Sequence, residues 1–278
     1  MLVVIGDLVA DLIVLGGASL ERGTDNAAEV RLTRGGSAAN VAAAAGPRHP
    51  VRFIGRVGDD TLGRALVGEL EGAGVDVRVQ RSGRTGSIVV LVDAVGERTM
   101  ITDRGAAAEL DAIDPSWLEG ATWVHLPLYG FAVPRSRAAV SDAAARAAGD
   151  GAGISLDLSS VATLRELGAE ALHAILAELR PDVVFANEDE ARMAAEFGLD
   201  VPGVSVVKRG ADPVRVTVAG QTREVPVDRV DDVLDSTGAG DAFAAGYLVA
   251  TLGGADAHAS AQAGSVLAMS ALRRPGAL

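Results

Sequence analysis

The sequence predicts an α/β protein built around a mostly parallel sheet with helices on its faces. Two observations carry this reading. From residue 112 onward short apolar runs alternate with alanine-rich stretches of helical character: Trp123-Val124-His125-Leu126, then 135–148, Ile154-Ser155-Leu156-Asp157, 164–179 and Val183-Val184-Phe185. Such alternation implies right-handed crossovers and hence parallel pairing. The composition agrees, because 49% of the chain is hydrophobic while aromatics are only 3%. Strands buried on both faces are built on Val, Ile, Leu and Ala.

The bulk properties exclude several classes. At 278 residues the chain can bury a core as one large domain or as one domain with a small appendage. A net charge of −12 argues against a nucleic-acid partner and requires local cradles for any anionic ligand. There is no cysteine, so disulfides and cysteine-ligated metals are excluded. The four histidines show no zinc-type spacing. Residues 1–5 form a short apolar run ending at Gly6-Asp7 without a basic segment before it, a buried first strand and not a signal peptide. No apolar run free of charge or glycine reaches membrane-spanning length. The expectation is a cytoplasmic protein that engages no membrane. Lys208 is the only lysine, every other basic residue being arginine, which raises the question of what a compact ammonium does there.

Taken in order, residues 2–15 read as strand, a polar break at Gly6-Asp7, then more strand. Asp11 interrupts that second run, and a buried carboxylate needs partners. Val30 and Leu32 alternate with charge inside the polar stretch 16–34, as in a peripheral strand. Arg34-Gly35-Gly36-Ser37-Ala38-Ala39-Asn40 is a glycine-to-helix junction where a ligand can lie against backbone amides, with Asn40 one turn inside facing back over the opening. After the strand Phe53-Ile54-Gly55, residues 61–72 carry Leu62, Ala65, Leu66 and Leu70 at helical spacing, with Asp59 and Asp60 as turn and N-cap. Strands over 87–92 and 98–102 flank the hairpin signal Val95-Gly96-Glu97, with Arg104 beyond them. His125 and Asp157 fall at strand C-termini, where open α/β sheets bind ligands. Asn187 and Glu190 stand three apart at a helix start, where acids also suit the helix dipole without further purpose. Residues 204–210 run from strand into a loop bearing Lys208 and Gly210; a hairpin over 214–218 and 222–227 follows, and 261–278 is an alanine-rich helix ending Arg273-Arg274-Pro275-Gly276-Ala277.

The stretch with the most chemistry is Asp235-Ser236-Thr237-Gly238-Ala239-Gly240-Asp241, which opens directly into a helix. A glycine turn at a helix start leaves amides unpaired and pointing outward, and the dipole adds positive charge, so the turn suits a phosphoryl group. A carboxylate beside bound phosphate is unfavourable unless it has a task; taking a proton from an attacking hydroxyl is such a task.

This motif resembles the Asp-Thr-x-Gly-Ala-Gly-Asp signature of the ribokinase-like (PfkB-type) carbohydrate and nucleoside kinases, with Ser236 as a hydroxyl-for-hydroxyl change. Gly35-Gly36 through Asn40 is similar to the family's Gly-Gly-x-x-x-Asn, and Asn187 to Glu190 to its Asn-x-x-Glu. The resemblance spans nearly the whole chain. It implies one kinase domain over 1–278, a three-layer sandwich with a small β-sheet lid drawn from about 10–34 and 85–104, and ATP-dependent phosphorylation of a hydroxymethyl group on a small sugar. It implies that Asp11, Gly35, Gly36, Asn40 and Arg104 bind substrate. Asp241 acts as base, and Gly238, Ala239, Gly240 and Asp241 form the anion hole. It places ATP on Asn187, Lys208, Gly210, Thr237, Gly238, Gly240 and Ser265, with Mg2+ near Asn187 and Glu190 through water. Asp235 becomes a candidate ligand for a monovalent cation such as K+, and a homodimer through the lid occurs in some relatives. A nucleoside kinase and a non-catalytic sugar-binding relative are the alternatives. The scarcity of aromatics argues mildly against a stacked nucleobase. A Rossmann-type dehydrogenase is disfavoured because no Gly-x-Gly-x-x-Gly follows the first strand.

Overall fold

Thirteen strands divide into two sheets in the computed structural model, which describes residues 1–15, 20–93, 98–230, 233 and 235–273. In chain order the strands are β1 (Leu2–Ile5), β2 (Val9–Leu15), β3 (Glu29–Gly35), β4 (Val51–Val57), β5 (Asp76–Arg81), β6 (Thr85–Val92), β7 (Arg98–Gly105), β8 (Trp123–Pro127), β9 (Gly153–Asp157), β10 (Val183–Asn187), β11 (Val204–Arg209), β12 (Asp212–Val218) and β13 (Gln221–Val225). The helices are α1 (Ser37–Ala45), α2 (Thr61–Gly72), α3 (Pro134–Gly149), α4 (Val161–Leu179), α5 (Glu188–Glu196), α6 (Ala239–Leu252) and α7 (Ala257–Leu272).

The large sheet has the order β13-β12-β11-β10-β9-β8-β1-β4-β5. It is parallel from β5 through β11, and the β12–β13 hairpin continues it antiparallel. Alternation along each strand feeds two cores. Leu2 and Val4 point into one with α1, α2, α6 and α7, whereas Val3 and Ile5 point into the other with α3 and α4. The sheet therefore lies between two helical layers, its central strands apolar on both faces. From β1 the chain builds outward to β4 and β5 on one side and to β8 through β11 on the other. The resulting switch point lies at the strand C-termini between β1 and β8, the place where such sheets hold ligands.

The second sheet, β3-β2-β6-β7, stands over that edge. Its inner face carries Asp11, Ile88, Met100 and Thr102 toward a cavity, while Val30, Leu32 and Ile101 are exposed on its outside. The strands expected over 10–34 and 85–104 pair in this one small sheet, β6 beginning at Thr85.

Some elements depart from the sequence reading. β5 was not anticipated, because Asp76-Val77-Arg78-Val79-Gln80-Arg81 alternates polar and apolar at an edge of the sheet and merges with the turn before it. α4 starts at Val161, capped by Ser160, and contains Gly168 at φ 73°, which breaks its periodicity. α7 starts at Ala257, four residues before the expected 261, because the Asp256 carboxylate caps the amides of His258 and Ala259. Asp60 caps α2 as expected, accepting from the Gly63 amide at 2.7 Å. The Val95-Gly96-Glu97 turn signal lies outside the described residues apart from its flanking strands, and so does Arg274-Pro275-Gly276-Ala277.

A chain with few aromatics concentrates four rings beneath the cavity. Phe185 on β10 is fully buried, edge-on to His125 at 5.9 Å, Phe243 at 6.3 Å and Tyr247 at 5.1 Å between centroids. Truncation there leaves a void that a close-packed interior cannot fill. Phe185→Ala is expected to destabilise the protein by about 3–5 kcal/mol, read as a lower urea midpoint with an unchanged slope.

Candidate active site

A cavity of about 570 Å³ opens at the C-terminal edge of the large sheet, beneath the lid. Most residues singled out in the sequence meet on its wall: Asp11, Gly36, Asn40 and Arg104 from the lid side, Asn187, Glu190, Lys208 and Gly210 from β10 and β11, Thr237 through Asp241 from the α6 entry, and Ser265 from α7. Gly35 and Asp235 are not on that wall. Gly35 lies against the Asp11 carboxylate, and a Cβ there would come within 2.0 Å of Oδ1. Asp235 folds back onto its own turn, Oδ1 accepting from the Thr237 amide at 2.8 Å and the Thr237 hydroxyl at 2.7 Å. His125 is also absent from the wall. It is fully buried, with Nδ1 2.9 Å from Ser155 Oγ, and burial pushes its pKa down to about 4. It is a core residue, two positions before the end of β8.

The α6 entry is a left-handed turn at Gly238, φ 72°. The first i→i−4 bond of the helix runs from the Ala242 amide to the Gly238 carbonyl at 2.8 Å, and the Ala239 amide turns back to Ser236 at 3.3 Å. Helix geometry leaves the Gly240 and Asp241 amides without intrahelical acceptors at the positive end of the dipole. Asp241 is held by residues some two hundred positions earlier. Its Oδ1 accepts from Ser37 Oγ at 2.7 Å and its Oδ2 from Asn40 Nδ2 at 2.9 Å. Desolvation raises its pKa to about 6 against the lowering effect of those two hydrogen bonds.

On the lid side Asp11 is buried, and desolvation together with the Asp241 charge lifts it to about 6, with Arg34 opposing. Its Oδ1 is buried and has no hydrogen-bond partner among the described residues, an orphaned acceptor. Arg104 is on the wall but already committed: Nε and one terminal nitrogen grip the two oxygens of Asp7, each at 2.7 Å. Asp7, Ser37 and Tyr129 are wall residues that the sequence reading did not name as site residues. The position of Asp7 directly after the first strand, and of Ser37 at the first helical position beyond paired glycines, were the available signals. Tyr129 had none, since it sits in a short 3-10 turn after β8.

On the opposite side Asn187 and Glu190 form a reciprocal cap for α5. The Asn187 amide and its Nδ2 donate to Glu190 Oε2 and Oε1, both at 2.7 Å, and the Glu190 amide donates to Asn187 Oδ1 at 2.8 Å. Desolvation and the nearby Asp157 charge push Glu190 up to about 7. Lys208 donates to Asp157 Oδ2 at 2.8 Å; burial works against its charge, but Asp157 outweighs it and raises its pKa. Ser265 donates to the Ala261 carbonyl of its own helix at 3.0 Å. Among the described residues no group of three or more His, Asp or Glu side chains is arranged to hold a metal. Asp157 and Glu190 are nonetheless two acids on one wall, a donor set that favours a cation held through water over direct ligation. No helix among the described residues is long and apolar enough to cross a membrane.

Comparison with known proteins identifies the family. The pfkB family carbohydrate kinase model matches residues 1–278. An ATP-dependent ribose-1-phosphate kinase of Halopiger xanaduensis is 36% identical over 243 residues, covering 82% of this chain and 77% of the relative. A fructokinase of Klebsiella pneumoniae is 30% identical over 257 residues, covering 84% and 82%. A solved structure of an uncharacterised sugar kinase from Pyrococcus horikoshii in complex with ATP superposes with a TM-score of 0.85 at 26% identity, over 100% of this chain and 94% of the other. The chain has the ribokinase-like fold and belongs to the pfkB family of carbohydrate kinases.

Proposed function

We propose that the protein transfers the terminal phosphoryl group of ATP to a hydroxymethyl group of a small sugar. The observation that carries this reading is the Asp241 carboxylate, fixed by Ser37 and Asn40 beside the amides that open α6. Asp11, with its orphaned oxygen, and Asn40 orient the substrate's hydroxyls from the lid side. Asp241 takes the proton of the attacking hydroxyl. The Gly240 and Asp241 amides, with the dipole behind them, stabilise negative charge on the phosphoryl group as it moves. Asn187, Lys208, Gly210, Thr237 and Ser265 line the same cavity and would border the nucleotide. Asn187 and Glu190 would hold a magnesium ion through water, and that ion would neutralise phosphate charge. Positioning and charge stabilisation carry such a reaction, with little covalent work for the protein. The lid strands carry no aromatic ring to stack on a base, which favours a sugar over a nucleoside.

Asp241→Asn is expected to keep the fold and ATP binding while turnover falls by orders of magnitude. The assay is ADP release with Mg-ATP across pentoses, hexoses, sugar phosphates and nucleosides, with and without potassium. Near-wild-type turnover in the variant would remove Asp241 as base, and turnover confined to nucleosides would replace the sugar reading.

The base must be ionised, so with a pKa of about 6 the rate falls as pH drops through that value, tenfold per unit at the acid end. Ser37→Ala removes a hydrogen bond that lowers this pKa and should move the acid limb of kcat/KM to higher pH. An unmoved limb would detach it from Asp241.

Asp11 binds its proton more tightly in the fold, at about 6 against 3.8, so it penalises the folded state increasingly as pH rises between those values. Asp11→Asn should therefore stabilise the protein at about pH 7.5 by up to roughly 3 kcal/mol, lose that advantage near about pH 4, and weaken sugar binding. Urea titrations at both pH values check the first two outcomes, and KM the third.

A further inference from the structure

Ser159 sits on the cavity wall with φ 63°, a left-handed conformation that a non-glycine residue holds only when its surroundings impose it. Three hydrogen bonds impose it. The Ser159 amide donates to Asp157 Oδ1 at 2.8 Å, its hydroxyl donates to the Asp157 carbonyl at 2.9 Å, and the same hydroxyl accepts from the Leu128 amide at 3.0 Å. One oxygen of Asp157 is thereby locked, and the other accepts from the Lys208 ammonium at 2.8 Å.

The reach of that ion pair is unusual. Asp157 ends β9 and Lys208 lies near the end of β11, with β10 between them. Two strand spacings amount to about 9–10 Å, so the lysine stem must cross β10, and Nζ comes 6.0 Å from the centroid of the Phe185 ring. There the ammonium also abuts the phosphoryl cradle, since a Cβ on Gly240 would lie 3.3 Å from Nζ. An ammonium has three donors, so it can keep Asp157 and still bond an anion in the cradle. A planar guanidinium has no such compact geometry.

We propose that Asp157, locked by Ser159, is a positioning residue that holds the Lys208 ammonium against the cradle at Gly240, where that ammonium stabilises charge on the transferring phosphoryl group. The role rests on the kinase reading above and adds to it a residue that acts through another. Lys208 is catalytic in this scheme, and Asp157 and Ser159 set its place.

The composition makes the test selective, because the chain has one lysine and no cysteine. Lysine isotopically labelled at Nζ yields a single ammonium resonance, and an ion pair slows its proton exchange enough for it to be seen. It should be visible in the unliganded protein, shift on addition of β,γ-methylene-ATP with magnesium, and vanish through fast exchange in Asp157→Asn. A resonance missing from the unliganded protein, unmoved by the analogue, or unchanged in Asp157→Asn overturns the proposal. This readout needs no turnover, so it decides the matter even if wild-type protein releases no ADP, the result that would sink the kinase reading instead.

With turnover in hand, Asp157→Asn should lower kcat about a hundredfold with little change in the KM for ATP. The same substitution should cost almost nothing further in a Lys208→Cys background. Treating Lys208→Cys with bromoethylamine, which rebuilds an ammonium on a stem of lysine length, should restore turnover only where Asp157 is retained. Equal losses in both backgrounds, or equal restoration with and without Asp157, would reduce the pair to a structural contact. The Lys208→Cys, Asp157→Asn double variant leaves no buried charge unpaired, which keeps the comparison open if the single lysine variant folds poorly.

Discussion

The hydrogen bonds from Ser37 and Asn40 to Asp241 are the contacts on which the rest of the site depends. They join the N-terminal turns of α1 and α6, two helices whose glycine-rich entries face one cavity. Each entry brings polar backbone and a positive dipole end, and a recessed carboxylate between them would be unfavourable without donors. The donors come from one helix and the carboxylate from the other. Packing of α1 against α6 in a common core therefore sets the geometry of the Asp241 carboxylate.

Charge around the cavity is arranged in pairs that almost balance. Arg104 is gripped by Asp7, Lys208 by Asp157, and Arg34 pairs with Glu69 at 2.9 Å. The acids left with raised pKa values, Asp11, Asp241 and Glu190, are those that burial and neighbouring carboxylates leave incompletely compensated. Perturbed acids in a cleft mark places where a ligand completes the electrostatics. Asp11 and Asp241 face the lid side, and Glu190 faces the β10–β11 side. This division is the one the proposed sugar-and-nucleotide arrangement calls for.

Much of this was legible before the fold was known. The Gly-Ala-Gly-Asp turn, the paired glycines before Asn40 and the Asn187–Glu190 spacing are local patterns, and local patterns survive in a linear sequence. β5 escaped because its alternation at a sheet edge resembles a turn. Tyr129 escaped because nothing in the sequence of a single short turn marks which way a ring will face. Arg104 was expected to bind substrate, but its bidentate commitment to Asp7 spans 97 positions and leaves no trace in either neighbourhood. His125 misled for a related reason: a strand C-terminus in the sequence is uncertain by a residue or two, and that margin separates a buried core side chain from one at the edge.

By itself, then, the sequence determined most of the elements, the parallel sheet and the glycine turn that opens α6, because periodicity, glycine placement and helix capping act over a few residues. Tertiary structure decided which charges meet. The strand order β11-β10-β9 brings Lys208 to Asp157, and the packing of α1 on α6 brings Asn40 to Asp241. Those encounters depend on how the strands are ordered in space, which no short stretch of the chain encodes, and they set which acids stay charged and which stay poised to take a proton.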